Sequence, residues 1–296
     1  MSFNALIKNV VLLPFNLLYK VNPELNARLL FRLKTGQKLH LEAPKTYNEK
    51  LQWIKLYDRN PLMPQCVDKY TVRQYVTSKG LSGILNHLIW QGYDPREIPF
   101  DYLPDQFVIK VTHGSGFNII CHDKRSLNPE QTVAQLQRWL RARYLPCYGE
   151  WFYGLERPRV IIEDLLCNSE SDNGLDDYKV YCFNGIPRYI SVDSGRQNGR
   201  HYKNIYNTQW QLQRGCEMAY PSNGVETPAP ACLDELLQYA QILSEDFLHA
   251  RVDFYIVNQK PVFGEITFAN SAGFGRVAPE SFALAMGSYL KLPVKS

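Results

Sequence analysis

The chain has 296 residues, 45% of them hydrophobic and 21% charged, with a formal net charge of +4. That length can bury a large core, the composition is that of a globular protein, and no stretch is long and apolar enough to span a bilayer. Seven scattered cysteines without a C-x-x-C pair argue for a reducing, cytoplasmic setting without structural zinc, and the modest net charge gives no reason to expect a nucleic-acid partner.

The charge is uneven: residues 1–60 carry ten Lys/Arg against four Asp/Glu. Asn4–Val21 is apolar with Lys8 and Lys20 interspersed, is interrupted by Pro14, and has no small-residue cleavage site. A basic amphipathic start of this kind, residues 1–35, can lie on an anionic membrane surface at the inner face of a bacterial membrane, or pack as a helix on its own domain. Asn22-Pro23 starts a helix to about Leu33, and Thr46-Tyr47-Asn48-Glu49 forms a capping box for a helix to about Tyr57. Cys66–Thr77 reads as a third helix, carrying Asp68, Lys69 and Arg73.

From Leu81 the pattern turns to strands. Phe107–Val111 and Asn118–Cys121 flank Thr112–Phe117, a glycine-containing loop; Asn128-Pro129 caps a helix to about Tyr144. Arg159–Leu166 is a buried strand with an acidic end. Tyr178–Phe183 and Arg188–Val192 flank Asn184-Gly185, a hairpin signal, and Asp193–His201 is a polar loop. Ala231–Ala250 reads as one long helix, and Pro279–Leu292 closes the chain with another. Strand runs with helices gathered to one side predict an α+β fold, and neither a Rossmann nor a Walker glycine motif is present.

The segment richest in chemistry is Arg251–Gly273. It reads as strands Arg251–Val257 and Pro261–Thr267 joined by a three-residue turn, Asn258-Gln259-Lys260. Symmetry about Gln259 sets Asp253 opposite Glu265 and Arg251 opposite Thr267, all on one face; Val252, Phe254, Ile256, Val262 and Ile266 share the other. Two carboxylates opposed across a ladder repel. A divalent cation reverses that sign, and Mg²⁺ binds through one or two carboxylates plus substrate phosphates. The alternative is a solvated polar face. Elsewhere, Gly114-Ser115-Gly116 can cradle phosphates with Lys110 beside it. The strand end at Glu163-Asp164-Leu165 can offer backbone groups to an adenine ring. Lys179 faces either solvent or a cleft, and Arg196, His201 and Lys203 belong to a basic stretch that is either a site for an anionic acceptor or an ordinary solvated loop.

Taken in order, a helical Lys, a strand-Lys-glycine-loop-strand unit, an acidic hinge, a strand Lys and Arg-x-Asp…Glu-x-Thr on a hairpin resemble the ATP-grasp superfamily. TYNEKLQWIKLYDRNP (46–61), VDKYTVRQYV (67–76), DQFVIKVTHGSGFNIICHDK (105–124) and DYKVYCFNGIPRYISVDSGR (177–196) resemble more closely its TupA-like members, encoded with bacterial surface-polysaccharide genes. The resemblance implies an ATP-grasp fold of two antiparallel lobes clasping ATP: a helical extension over 1–62, a first lobe over 63–166 and a second over 167–296. It implies that Lys69, Lys110 and Lys179 contact ATP and that His113, Gly114, Ser115, Gly116 and Phe117 close over the phosphates. Glu163, Asp164 and Leu165 would line the adenine hinge. Asp253, Glu265 and Thr267 would hold Mg²⁺, and Arg251 with Lys179 would act in catalysis. Thr267 departs from the superfamily's usual Asn, for which Asn270 is a substitute. The expected reaction is ATP-dependent ligation of a carboxylate, such as a uronic acid of a glycan precursor, to an amino compound, through an acyl phosphate, with the acceptor near Arg196, His201 and Lys203. A kinase acting on a glycan hydroxyl and a non-catalytic nucleotide-binding scaffold are the alternatives.

Overall fold

The computed structural model describes residues 11–167, 175–194 and 201–294. Its helices are α1 (Leu13–Val21), α2 (Pro23–Thr35), α3 (Tyr47–Tyr57), α4 (Leu62–Val67), α5 (Val72–Ser78), α6 (Pro129–Leu140), α7 (Leu233–Ser244) and α8 (Glu280–Tyr289). One antiparallel sheet has the order β1 (Leu88–Gly92), β4 (Val160–Asp164), β2 (Phe107–Val111), β3 (Asn118–Cys121). A second runs β10 (Lys260–Thr267), β9 (His249–Val257), β5 (Asp177–Phe183), β6 (Ile186–Ser194), β7 (Tyr202–Asn207). A two-stranded ribbon pairs β8 (Glu217–Met218) with β11 (Val277–Ala278).

Helix starts follow the caps in the sequence. Asn22 Oδ1 accepts from Leu25 N (2.9 Å), Asn128 Oδ1 from Gln131 N (3.0 Å), and Thr46 and Glu49 form the reciprocal capping box. Each satisfies a first-turn N–H that the helix itself leaves free. The first sheet buries Ile109, Val111, Val160 and Ile162 with Leu136 of α6. The second buries Val180, Cys182, Ile190, Val252 and Phe254 with Leu236, Ala240 and Leu243 of α7.

Three expectations need correction. The helix over Cys66–Thr77 is two helices broken at Asp68, whose Oδ1 accepts from Tyr70 N (2.9 Å) and Thr71 N (3.0 Å) and so restarts the chain as a cap. The helix over Ala231–Ala250 stops at Ser244, because His249 and Ala250 pair with Phe183 and Cys182 as the start of β9. The turn after β9 has two residues, with Val257 paired to Lys260 and both Asn258 (φ 49°) and Gln259 (φ 61°) left-handed. The pairs Asp253–Glu265 and Arg251–Thr267 still form, because a bulge at Gly264 restores the register that the shorter turn shifts by one. The same shift puts Phe263, not Val262, on the buried face.

Helix α8 crosses the start of α3 at Gly287, where a Cβ would fall 2.0 Å from the Lys45 carbonyl oxygen. Gly287→Ala is expected to lower stability by at least about 2 kcal/mol, because nothing but backbone can give way. Urea unfolding checks this; an unchanged midpoint would mean the two helices part freely.

Candidate active site

The two sheets face a cavity of about 410 Å³. Six cationic and five acidic side chains line it.

From the first sheet, Lys110 on β2 points inward between buried neighbours and its Nζ lies 2.7 Å from Glu163 Oε2. Arg73 of α5 reaches the other oxygen of Glu163 at 3.0 Å. The break between α4 and α5 delivers Lys69, whose Nζ donates to the Gly114 carbonyl (2.9 Å) and ties the glycine loop to the helical layer. Burial pulls the Lys69 ammonium below the usual lysine value, and neighbouring Lys110 acts in the same direction. Gly114 (φ 78°) and Gly116 (φ 77°) are left-handed, which only glycine adopts without strain.

From the second sheet, alternation puts Asp177, Lys179 and Tyr181 of β5 and Arg251, Asp253 and Tyr255 of β9 into the same cavity. Lys179 lies opposite Asp253 in the ladder. Its Nζ reaches Asp253 Oδ2 (2.6 Å) and Asp177 Oδ2 (2.5 Å), with Asp193 Oδ2 at 4.0 Å. The Arg251 guanidinium grips Asp253 with two bonds of 2.7 Å and extends Nη2 to Glu265 Oε1 and Thr267 Oγ1, both at 3.1 Å. The Thr267 hydroxyl donates to Glu265 Oε1 (3.2 Å). The repulsion expected between the opposed acids is thus relieved by a guanidinium lodged between them. Burial is the largest influence on Asp253 and would raise its pKa, yet Arg251 and Lys179 together hold it below the ordinary carboxylate value. Burial likewise pulls Lys179 down, but the carboxylates of Asp253, Asp177 and Asp193 raise it above the usual lysine range. Both groups are charged at neutral pH.

Among the described residues no group of three or more His, Cys, Asp or Glu is arranged to hold a metal ion. Asp253, Glu265 and Thr267 do supply hard oxygen donors side by side. That set fits a Mg²⁺ ion that arrives with phosphate oxygens of its own, which is how this ion is generally bound.

The remaining predicted residues divide. Ser115, Gly116 and Phe117 line the cavity. His113 and Gly114 line a neighbouring one, and the His113 Nε2 meets the Ala142 carbonyl at 3.0 Å. Of the acidic hinge only Glu163 faces the cavity, through its ion pairs. Asp164 turns its carboxylate toward His87 (3.3 Å), and its backbone N–H and C=O are taken by His87 O and Asn86 Nδ2. The backbone N–H and C=O of Asp164 are thus taken by residues 86–87 and are not free for the adenine-reading role expected of them. Lys203 lines the cavity with Nζ 2.6 Å from Asp193 Oδ1. His201 stands 3.6 Å from the same carboxylate, with its ring against that of Tyr220 (3.7 Å between centroids, tilted by 32°). Arg196 lies outside the described residues.

Asn270 lines the cavity at the end of a segment in which Ser271 (φ 50°) and Ala272 (φ 53°) are left-handed. Gln52 and Lys55 of α3 hold that segment by bonds to the Ala272 carbonyl (3.2 and 2.6 Å). Tyr47 Oη lies 2.5 Å from the Asn270 amide and 2.9 Å from His249 Nε2. Arg73, Asp177 and Asp193 also line the cavity, though no motif marks them as site residues in the sequence. Asp177-x-Lys179 was readable as a same-face pair, whereas Asp193 needed the β5–β6 register.

A family model described as TupA-like ATPgrasp matches residues 49–291. Solved structures similar to the chain include D-alanine–D-alanine ligase from Helicobacter pylori (12% identity, TM-score 0.48, covering 82% of this chain and 69% of that one). Others are an L-amino acid ligase from Bacillus licheniformis (12%, 0.45, 76% and 49%) and an ATP complex of D-alanine–D-alanine ligase from Bacillus anthracis (14%, 0.41, 69% and 55%). The chain spans 55% and 64% of the length of the two Bacillus anthracis D-alanine–D-alanine ligase structures it matches. No curated protein matches it.

Proposed function

Because the chain belongs to the TupA-like ATP-grasp family and has its α+β ATP-grasp fold, we propose that it is an ATP-dependent carboxylate–amine ligase. The observation that carries this is the charge arrangement of the cavity: Lys69 and Lys110 enter from one sheet's side, and Lys179, Arg251, Asp253 and Glu265 from the other. Phosphoryl transfer asks for positioning and charge neutralisation, not a protein nucleophile. Mg²⁺ held by Asp253 and Glu265, with Thr267 beside them, would screen the charge between the outer phosphates. Lys69 and Lys110 would hold the triphosphate beneath the Ser115–Phe117 turn. Arg251 would steady the phosphoryl group in flight, and Lys179 would keep Asp253 in its ionised form.

In the reaction a substrate carboxylate oxygen attacks the γ-phosphorus and ADP leaves. An amine then attacks the acyl carbon of the resulting acyl phosphate, losing a proton, and inorganic phosphate departs. A uronic acid of a bacterial surface-glycan precursor is the carboxylate we favour, with Lys203 nearest to where an anionic acceptor would enter. Incubation with Mg²⁺-ATP, uronic acids and amino acids tests this. Ligation yields ADP, free phosphate and an amide, and hydroxylamine traps the acyl phosphate as a hydroxamate. A phosphorylated sugar with neither hydroxamate nor amide would replace the ligase with a kinase.

We also place this chemistry on a membrane surface. Among the described residues no helix is long and apolar enough to cross one. Yet Leu13, Leu17 and Val21 of α1 and Leu25, Leu29 and Leu33 of α2 lie exposed, from 43% at Leu25 to 84% at Val21. Four-residue spacing keeps each trio on one stripe, and three-residue spacing sets Lys20, Arg28 and Arg32 along its flank. A two-fold copy of this chain would bring those cations against their own kind, whereas an anionic bilayer complements both the aliphatic stripe and the charge. Leu17→Ser with Leu29→Ser is expected to lower co-sedimentation with phosphatidylglycerol vesicles at least about tenfold, at roughly 0.8 kcal/mol per CH₂ withdrawn from lipid. Wild-type protein that stays in the supernatant would refute the placement.

A further inference from the structure

A buried line of polar atoms runs from the start of β9 to the charged cavity. His249 is fully buried, and its Nδ1 lies 2.9 Å from the Phe268 carbonyl, an acceptor, so Nδ1 carries the ring proton. Burial pulls the ring's pKa down to about 4, which leaves Nε2 a bare lone pair at neutral pH. That lone pair faces Tyr47 Oη at 2.9 Å. Burial raises the Tyr47 hydroxyl well above the usual phenol value, so it keeps its proton. On its other side Tyr47 Oη stands 2.5 Å from Asn270 Oδ1, a second acceptor.

One phenol proton cannot serve two acceptors. If it goes to Asn270 Oδ1, His249 Nε2 is left buried against an oxygen with no donor, a state that native interiors seldom keep. Half a turn of the carboxamide removes the conflict, because the two ends of that group have nearly the same shape. The phenol then donates to His249 Nε2, the Asn270 Nδ2–H donates to Tyr47 Oη, and every link joins one donor to one acceptor. The carboxamide oxygen comes out at the other end, where Asn270 lines the cavity. That outer end makes no hydrogen bond among the described residues and is not one of their sealed polar atoms, so it is open to the cavity.

We propose that Tyr47 and His249 are positioning residues of this site: through them the Asn270 carboxamide presents its oxygen to the cavity, as a neutral ligand to the Mg²⁺ that Asp253 and Glu265 would hold. This rests on the nucleotide-borne cation of the reading above and deepens it by naming a third oxygen. The backbone supports the placement. Ser271 and Ala272 are left-handed without being glycine, a strained conformation that persists only where neighbours over-determine it. Gln52 bonds to the Gly273 carbonyl (2.9 Å) and Lys55 to the Ala272 carbonyl (2.6 Å). Tyr47 opens the same helix, α3, so one element holds both the strained backbone and the amide. Thr267, by contrast, is engaged within the hairpin: its hydroxyl donates to Glu265 and accepts from Arg251. Mg²⁺ demands near-octahedral oxygen coordination, and a neutral oxygen adds a ligand without adding charge.

The test reads the cation and needs no turnover. The full chain, ¹³C-labelled at asparagine Cγ, is loaded with Mn²⁺ and the non-hydrolysable nucleotide AMP-PNP. Mn²⁺ takes the same oxygen ligands as Mg²⁺ and is visible by electron paramagnetic resonance. Electron–nuclear double resonance is expected to show a ¹³C coupling from a carboxamide bound to the ion, lost in Asn270→Ala. At saturating AMP-PNP the Mn²⁺ affinity should fall about tenfold in Asn270→Ala and about as far in Tyr47→Phe, since groups that orient a ligand are worth about 10–100-fold in metal affinity. The double variant should bind no more weakly than Asn270→Ala alone, because the phenol acts only through that amide; general support of the fold would not give this pattern. The proposal is overturned if the wild type shows no such coupling, if Tyr47→Phe binds Mn²⁺ as the wild type does, or if the two losses add. A wild type that takes up no Mn²⁺ overturns it together with the nucleotide reading. Should Tyr47→Phe fail to fold, the coupling and its loss in Asn270→Ala still decide. The coupling and the tenfold losses, without ADP release from any carboxylate and amine, would retain the relay and remove the ligase.

Discussion

Asp253→Asn is expected to turn over ATP at least about a thousandfold more slowly than the wild type, the loss of about 4 kcal/mol from the transition state. The substitution keeps the shape of the side chain and removes its charge. It therefore tests the carboxylate as a ligand and counter-ion, not as packing. Its effect on folding has a definite sign. Asp253 is 3% exposed and held by Arg251 and Lys179, and removing a buried counter-ion leaves two cations underneutralised. About 3 kcal/mol is expected, at the low end because Lys179 keeps Asp177 and Arg251 keeps Glu265. The folded pKa of Asp253 lies below its ordinary 3.8. Its stabilising contribution is therefore present above that value and disappears as pH falls through the lower folded one. The gap in melting temperature between wild type and Asp253→Asn should be widest near pH 7 and close progressively below about pH 4. Turnover within tenfold of wild type would remove Asp253 from the metal site, whatever the stability shows.

Arg251→Met should cost a similar factor in turnover, about a thousandfold, because a guanidinium that neutralises a moving phosphoryl group is worth that much or more. A second readout separates this role from simple support. The guanidinium already lies between Asp253 and Glu265, so it competes with any metal for the same oxygens. Without it the metal-free variant should lose about 3–5 kcal/mol of stability, and Mg²⁺ alone should restore part of that. The rise in melting temperature on replacing EDTA with Mg²⁺ should therefore be larger in Arg251→Met than in wild type. An equal or smaller rise would mean that the two carboxylates do not share a cation site.

How legible was this site before folding? Arg251, Asp253, Glu265 and Thr267 were readable because alternation along a hairpin is a local rule. The hairpin itself hides two features whose effects cancel. Asn258-Gln259 lacks the glycine that announces a two-residue turn, and Gly264 gives no sign that it is a bulge rather than a strand residue. Each moves the register by one, in opposite senses. Lys110 and Glu163 were picked out separately, but their ion pair depends on how β2 and β4 slide past one another, which no short window contains. The same is true of Lys179, whose three carboxylates come from β5, β6 and β9. Lys69 sits in an apolar repeat that reads as one helix, because an aspartate such as Asp68, which takes two backbone N–H groups and breaks it, looks in sequence like any other helical acid.

One further consequence lies in α1. At 100° per residue, Tyr19 stands about 200° around the helix from Leu17, so the nine-residue segment has an aliphatic edge toward the outside and a phenol in the wall of the cavity that His113 and Gly114 line. A helix is only about 10–12 Å across. A protein resting on lipid by that edge would hold its cavity within one helix diameter of the headgroups. A glycan tethered to the bilayer would then be found by lateral diffusion in two dimensions, and its effective concentration would be set by the length of the tether.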